Sequence, residues 1–494
     1  MKLARIKFAI NCKAIIAFLV MTAIAIFSGM VASTGSLLLT QLVVGVIGGI
    51  ALLIIPRWSI WIVLSVGLLF GIFASYFPAL NKLPWALALM SMLLMLPAII
   101  RFIEAKNIPL FIWITLIFML YTLLVTLIQW DSFSQLIAGF KRYFQMYGLM
   151  FGLALLSFKP EDYQKWLKLM LFIALLQLPV ALLQRFMLGD LDGGYASAEL
   201  TDRVAGTLGS SAEGGSSSAQ MVTFLLMAVA FLVARWKEGL IKKSTTFYLC
   251  LICLIPLGLG ETKIVIFLLP VAWLILMRDD FMKAPGRFIA QLFGLLAIIS
   301  VFAYIYLGLN KGKNDISSTE VLTQTLAYNI GDQGYGTYIL NRATVMDFWW
   351  TNHSMNDLVG MWLGHGLGGS YFNAGNAVAG HIAVGYIGYG IDLTSASTLL
   401  WDTGILGLVL FISIFITAWI AAGNLSKVVS SPSVRADCSA IQACLAMLFI
   451  FIFYDNTLVN ILSFELIFST ILGYLGYLVH FHKRIQQRDT SYIL

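Results

Sequence analysis

Two arginines in this sequence stand beside features that suit the binding of an anion. Arg203 opens a glycine-rich segment (206–215) whose backbone N–H groups could approach a ligand closely and form an anion-binding concavity. Arg342 shares one helical face with Met346 and Trp349, because these residues have the spacing i, i+4, i+7. A guanidinium pairs bidentately with phosphate oxygens and stays protonated, so Arg203 suits a phosphate-bearing ligand. Arg342 lies beside aromatic surface, as it would at a membrane interface or on the face of a sugar. A solvated turn at Arg203 and an interfacial anchor at Trp349 are the competing interpretations.

Further cations could support such a site because they lie at the ends of predicted helices. They are Arg142, Arg185 and Lys263. Charges near membrane segments are costly and usually functional or paired. Snorkelling to the interface would also explain Arg142 and Arg185, and an internal pair with Glu261 would explain Lys263.

Side chains in the segment 338–389 could contact a sugar ring, and they include Tyr338, Trp349 and, in a glycine-rich turn, His365.

The motifs of soluble nucleotide and metal enzymes are absent from the sequence. There is no Walker A loop, no GxGxxG after a strand and no HExxH. The spacing of His353, His365 and His381 fits no common zinc site. We therefore predict no cofactor and no metal, since arginines can do the electrostatic work on a phosphate.

The composition indicates a membrane protein. The chain has 494 residues, of which 60% are hydrophobic and 11% are charged, and its mean hydropathy is +0.89. A soluble globular chain carries about 25% charged residues. Apolar runs of 18 or more residues recur along the chain, and about 20 helical residues cross the hydrocarbon of a bilayer. The predicted fold class is therefore all-α and polytopic.

We predict about fourteen transmembrane helices from these runs. The predicted spans are 14–32, 36–55, 59–77, 84–103, 108–129, 143–158, 167–187, 218–235, 245–260, 262–277, 288–309, 396–421, 438–457 and 460–479. With both termini in the cytoplasm, 22 of the 31 Lys and Arg residues fall in inward segments. This bias agrees with the positive-inside rule.

Two outward segments are longer than ordinary connections, which is typical of functional loops. They define the predicted organisation of the chain. The N-terminal transmembrane helices occupy 1–187, and the central helices occupy 188–309 with a first outward loop at 188–217. A large, helical outward loop covers 310–395, and the C-terminal helices and cytoplasmic tail cover 396–494.

Three ordered stretches resemble motifs of a known membrane superfamily. They are Arg203–Gly209 (RVAGTLG), then Asn341–Trp349 (NRATVMDFW) with Leu363–Gly368 (LGHGLG), and finally Trp401–Gly407 (WDTGILG). Their order resembles that of the O-antigen polymerase and O-antigen ligase superfamily. The resemblance covers roughly residues 200–410 and implies a glycosyltransferase-C-like core.

The resemblance implies an enzyme of the bacterial inner membrane whose active site faces the periplasm. Its donor and acceptor would be oligosaccharide repeat units linked to undecaprenyl pyrophosphate, and a chain-length regulator protein could be a partner. Arg203 and Arg342 would stabilise the departing diphosphate. A base would take the proton of the acceptor hydroxyl, and the sequence leaves the order of three candidates open: Glu213, His381 and Asp392. The ligase branch carries His-Asn before its closing acid, whereas this chain has Leu393–Ala396 there. The polymerase branch is therefore favoured, while a ligase and a lipid-linked oligosaccharide flippase remain alternatives.

Overall fold

A computed structural model describes most of the chain from residue 55 onward. The described residues are 55–74, 83–104, 108–187, 204–209, 216–260, 264–314, 331, 333–354, 357–371 and 380–491, with six isolated positions at 22, 29, 33, 323, 327 and 329. The chain divides into two compact units, Met1–Ser59 and Ile60–Leu494. The first unit is described only at positions 22, 29 and 33 and at 55–59, and the features below belong to the second unit, apart from the first residues of α1.

The described residues form helices and turns and contain no β-strand. The helices up to Asn314 are α1 Pro56–Ala74, α2 Leu83–Glu104, α3 Leu110–Ile128, α4 Phe133–Phe144, α5 Tyr147–Leu155, α6 Pro160–Met187, α7 Ser216–Lys237, α8 Lys243–Leu259, α9 Val265–Lys283 and α10 Pro285–Asn314. Those that follow are α11 Thr344–His353, α12 Leu358–Leu363, α13 His381–Gly385, α14 Ser395–Val428, α15 Pro432–Tyr454 and α16 Leu462–Ser491. Short 3-10 helices lie at Gly206–Leu208 and Asn456–Val459.

Within this described part, seven helices are long and apolar enough to cross a membrane, judged by length and composition. These spans lie in α2, α3, α6, α7, α14, α15 and α16, and shorter apolar stretches lie in α1, α8 and α10. A helix satisfies its own backbone hydrogen bonds, which is the requirement that hydrocarbon imposes on a spanning segment. The prediction of an all-α, multi-pass membrane protein is confirmed. The predicted spans 14–32 and 36–55 lie outside the described residues.

The predicted span at 143–158 is corrected by the structure. α4 ends at Phe144, a turn follows at Gln145 and Met146, and α5 has only nine residues. Such a helix is about 14 Å long, less than half of the roughly 30 Å of hydrocarbon. All nine residues are buried. An apolar run that is buried among other helices has the composition of a span, so the hydropathy pattern could not distinguish the two.

Close backbone contacts hold α5 between α2 and α16. A Cβ at Gly148 would overlap the backbone of Ser91, and a Cβ at Gly473 would lie 2.8 Å from the Cβ of Leu153. The hydroxyl of Ser91 accepts a hydrogen bond from the N–H of Leu149 at 3.0 Å, which satisfies one donor at the start of α5. Small residues at the contact let helices pack closely where solvent provides little driving force.

An ion pair joins three of the spanning helices. Arg235 of α7 donates two parallel hydrogen bonds to Asp437 of α15, at 3.0 and 3.1 Å. Tyr474 of α16 donates to the same carboxylate at 2.6 Å. The bidentate geometry compensates for moving both charges away from water. This contact positions α7, α15 and α16 relative to one another.

α14 is broken at Gly404. The glycine-rich turn, residues 364–370, packs against this break. Gly404 has φ +65°, and Gly364 has φ +78°. A Cβ on either glycine would overlap the other segment's backbone, near Thr403 for Gly364 and near Trp362 for Gly404. The hydroxyl of Tyr121 in α3 donates to the carbonyl oxygen of Thr403 at 2.9 Å, which satisfies an acceptor exposed by the break.

The substitution Gly364→Ala tests this contact, and Gly388→Ala is its matched control. Both glycines have positive φ, +78° and +83°, and nothing lies within 4 Å of a Cβ at Gly388. An alanine at positive φ costs roughly 1–2 kcal/mol in the left-handed region, and it costs more at Gly364, whose ψ is −168°. Only Gly364→Ala adds steric overlap. We expect Gly364→Ala to lower the apparent melting temperature in detergent well beyond Gly388→Ala. Equal losses would contradict a tight contact between the turn and α14.

Candidate functional site

The site is built around the buried carboxylate of Asp402 in α14, which is 1% exposed. It accepts hydrogen bonds from the N–H of Gly368 at 2.9 Å and of Ser370 at 2.7 Å. The hydroxyl of Tyr143 in α4 donates to it at 2.9 Å. A carboxylate in the interior requires such donors, because an unpaired buried charge is strongly unfavourable. Asp402 therefore joins the glycine-rich turn and α4 to α14.

The other end of the turn is held by α3 and α4. The N–H of Leu367 donates to the hydroxyl of Thr126 at 2.9 Å. A Cβ at Gly139 would overlap the backbone of Leu367, so a glycine is needed where α4 crosses the turn. Gln135 of α4 lies 3.1 Å from Nδ1 of His381 and accepts from its backbone N–H at 3.3 Å. The exposed ring of His381 is thereby oriented beside the turn.

Two segments meet at what we term the acidic junction, formed by Asp392–Ser395 and Tyr454–Asn456. The side chain of Asn456 donates to the carbonyl oxygen of Asp392 at 2.7 Å. The N–H and hydroxyl of Ser395 donate to the carbonyl oxygen of Asp455, at 3.0 and 2.7 Å. These bonds join the start of α14 to the end of α15, and the joined segments carry Asp392 and Asp455 just outside the spanning helices.

Arg142 approaches the junction from α4. Its guanidinium stacks on the ring of Tyr371, which follows the glycine-rich turn. Burial raises the pKa of Asp392 to about 6, and the charge of Arg142 acts in the opposite direction on that pKa. The structure thus brings the predicted residues Arg142 and Asp392 together.

Arg342 approaches the junction from the other side. Its guanidinium lies between the rings of Tyr335 and Tyr454, with centroids at 4.1 and 4.3 Å. Its Nε donates to the carbonyl oxygen of Tyr454 at 2.6 Å, and its Nη1 donates to Asn329. Burial raises the pKa of Asp455 to about 6, while Arg342 lowers it. Each side of the junction therefore carries one arginine and one carboxyl group.

The local structure around Arg342 differs from the predicted helical face. α11 begins at Thr344, so Arg342 lies in the preceding turn, where Asn341 accepts from the N–H groups of Ala343 and Thr344. Trp349 is 3% exposed and packs against Trp401 and other core residues, so its ring does not face a ligand. The side chain of asparagine offers the backbone a capped turn in place of a further helical turn.

The Gly206–Thr207 backbone, in the predicted first outward loop, is bound by the polar face of α6. Gln184 accepts from the N–H of Gly206 at 2.8 Å and Gln177 accepts from the N–H of Thr207 at 2.8 Å. The hydroxyl of Thr207 donates to the carbonyl oxygen of Leu68 at 2.7 Å. These backbone N–H groups therefore have protein acceptors, and the predicted anion-binding concavity is not formed by Gly206 and Thr207.

The remaining predicted residues lie in different surroundings. Arg203, Glu213 and Lys263 fall outside the described residues. Arg185 is partly buried at the end of α6. Tyr338 is 43% exposed and its ring lies over Gly390, close to the junction in sequence. Sequence reasoning missed Asp455, although a charge between two apolar spans is the signal that could have identified it.

His365, predicted as a substrate contact, instead faces another histidine. Its Nε2 lies 2.9 Å from Nε2 of His353 and 3.7 Å from a carboxylate oxygen of Asp357. Burial and the neighbouring His353 lower the pKa of His365 to about 4, so the imidazole is neutral at pH 7. Among the described residues this is the group whose nitrogen and oxygen atoms could hold a metal ion.

Fold and site together define an all-helical integral membrane protein with a paired arginine–carboxyl centre at one end of its helices. No protein-family model matches the sequence, and no curated protein matches it either. The function is therefore argued from the residues of the centre.

The role of Asp402 is tested by Asp402→Asn, with Asp347→Asn on the exposed side of α11 as the control. An asparagine amide would place N–H donors against the N–H groups of the turn or the hydroxyl of Tyr143. We expect a loss of about 2 kcal/mol or more in stability, seen as a lower apparent melting temperature and as aggregation on size exclusion. Unchanged melting of Asp402→Asn would show that the turn is held by other contacts.

Proposed function

We propose that this protein is a membrane glycosyltransferase that polymerises oligosaccharide repeat units carried on undecaprenyl pyrophosphate. The observation that carries the proposal is the acidic junction, where Arg142 acts on the carboxyl group of Asp392 and Arg342 acts on that of Asp455, and where the pKa of each aspartate lies near 6. Positive charge suits a diphosphate leaving group, and a carboxyl group that titrates near neutral pH suits proton transfer. Both are needed when a sugar is transferred from a lipid diphosphate to a hydroxyl.

In the proposed reaction an acceptor hydroxyl attacks the anomeric carbon of the donor sugar. The new bond joins the acceptor oxygen to that carbon, and the bond from the carbon to the diphosphate oxygen breaks. The hydroxyl proton passes to Asp392, and undecaprenyl pyrophosphate leaves with the bonding electrons. Asp392 is chosen over Asp455 because the carboxylate of Asp455 accepts from the N–H of Asn456 at 2.7 Å and caps a 3-10 helix.

Arg142 is proposed to bind the diphosphate. Stacking on Tyr371 uses the face of the guanidinium, whereas phosphate oxygens bind to the N–H donors at its edge. Arg342 is proposed to position the junction and to add positive charge, because its Nε already donates to Tyr454. Arg203 and Lys263 are proposed as further cations for the same anion. Exposed aromatic rings such as Tyr338 would contact the sugars.

The proposal includes a location and a topology. It assigns the protein to the bacterial inner membrane, with about fourteen spans, a glycosyltransferase-C-like core, both termini in the cytoplasm and the junction facing the periplasm. Support comes from the bias of Lys and Arg toward the predicted inward segments and from the apolar helices. The product would be an exopolysaccharide, a capsule or an O-antigen.

Reconstituted protein supplied only with its undecaprenyl-pyrophosphate oligosaccharide tests the proposal. We expect a gel ladder of repeat multiples, because donor and acceptor are then the same class of molecule. Transfer that occurs only after lipid A-core is added would replace polymerase by ligase. Absence of any new glycosidic bond with competent substrate would contradict the proposal and favour a flippase.

The pH dependence of elongation tests the assignment of Asp392. A base works in its ionised form, so activity should be full above a pH of about 6 and should fall as the pH drops below the pKa of Asp392. Asp392→Asn should lower the elongation rate by about 100-fold or more, with donor binding retained. Asp347→Asn is the control. An acid limb that persists unchanged in a partly active Asp392→Asn protein would exclude Asp392 as the base.

Replacement of Arg142 separates fork geometry from charge. Arg142→Lys keeps the charge and loses the planar fork and the stacking, so we expect about a tenfold or greater loss of elongation rate. Arg278→Lys is the control and should remain active, because Arg278 is exposed and pairs with the exposed Asp279. The elongation rate of each variant is measured, and size exclusion verifies that each protein is monodisperse. Full activity of Arg142→Lys would reduce its role to simple charge.

A further inference from the structure

Three potential metal ligands converge beside the glycine-rich turn. His353 ends α11, Asp357 precedes α12 as its N-cap, and His365 lies in the turn. The Nε2 atoms of His353 and His365 are 2.9 Å apart, and a carboxylate oxygen of Asp357 lies 3.7 Å from Nε2 of His365. All three ligand atoms lie within 4.8 Å of one another. Three and seven residues lie between successive ligands, a spacing that resembles no common zinc motif, so only the fold reveals the group.

The surrounding contacts orient these side chains as metal ligands are oriented. Nδ1 of His353 lies 2.9 Å from the carbonyl oxygen of Trp349. A carbonyl oxygen only accepts, so Nδ1 carries the proton and the lone pair of Nε2 points toward His365. Histidines that bind metals almost always donate their other ring N–H in this way. Nε2 of His365 faces this lone pair directly.

The carboxylate of Asp357 is oriented as well. One of its oxygens accepts from the N–H of Gly360 at 2.8 Å, and its other oxygen faces His365. A Cβ at Gly360 would overlap the carboxylate of Asp357 and would lie 2.8 Å from the ring of His365. The absence of a side chain at this position therefore permits the close approach of the two ligands.

We propose that His353, Asp357 and His365 bind one divalent cation of the zinc class, with a further coordination position open to water or to a substrate oxygen. Two imidazole nitrogens and one carboxylate oxygen are an established ligand set for Zn²⁺ with an open position. Two nitrogens bound to tetrahedral zinc lie about 3.3 Å apart, so the observed pair needs to open by only a few tenths of an ångström. Without the metal, His365 donates a hydrogen bond to His353 across the same gap.

The cation can reach the site, and its binding would join separate elements. The side chain of His365 is 17% exposed and that of Asp357 is 41% exposed. The N–H of His365 donates to the carbonyl oxygen of Trp401 in α14 at 2.9 Å. A bound cation would therefore connect α11 and α12 to the broken helix α14, and it would stabilise the folded state.

Metal binding by the full-length protein in detergent tests this inference without any activity assay, so its failure is distinguishable from failure of the proposed function. Chelator-treated protein is titrated with Zn²⁺ by calorimetry and with Co²⁺ by visible absorption. We expect one equivalent per chain, the absorption of a Co²⁺ site with nitrogen and oxygen ligands, and a higher melting temperature with Zn²⁺.

His365→Gln and Asp357→Asn should each weaken binding by about 10-fold or more and abolish the melting shift. His381→Gln is the matched control, because this neighbouring histidine pairs with Gln135 instead and should leave binding intact. The two ligand variants involve partly exposed side chains and should still fold, which size exclusion verifies. Absence of binding to the wild-type protein, or binding that survives both His365→Gln and Asp357→Asn at full affinity, would overturn the proposal.

Discussion

The placement of the site depends on one buried carboxylate, that of Asp402. Its donors come from the glycine-rich turn and from Tyr143 of α4, so burying this charge holds both segments against α14. Tyr371 follows Ser370 directly in the chain, and Arg142 directly precedes Tyr143. The stacking of Arg142 on Tyr371 is thus a consequence of how Asp402 is satisfied. The requirement that a buried charge have donors determines the geometry of residues that do not touch it.

The acidic junction combines charge with aromatic surface. A guanidinium that leaves water needs compensation, and each arginine obtains it from a tyrosine face and from a nearby carboxyl group. The same burial raises the pKa of both aspartates toward neutral values. A centre of this kind can hold negative charge and accept a proton within a small volume, which is the combination that the proposed transfer of a glycan from a diphosphate requires.

Sequence patterns predicted some of these contacts and missed others for identifiable reasons. Gln177 and Gln184 have the spacing i, i+7, which places them on one face of α6, and this polar face binds the Gly206–Thr207 backbone. The i, i+4, i+7 spacing at Arg342 suggested one helix, but α11 begins only at Thr344, and the side chain of Asn341 accepts from the N–H groups of Ala343 and Thr344 in the turn before it. Such a side-chain bond competes locally with helix continuation, and helical periodicity does not register that competition.

The sequence by itself determined the class of the protein, because the lack of charge and the lengths of the apolar runs are local properties and hydrocarbon requires helices. It also identified Arg142, Asp392 and Arg342 as candidates by residue type. Only the tertiary structure decided which of them meet, since their contacts arise from packing between segments far apart in the chain. It also decided that α5 is an interior helix and that His353 faces His365. The composition of a segment does not distinguish an interior helix from a spanning one, nor a paired histidine from a solvated one. The neighbours that the packed helices supply make that distinction.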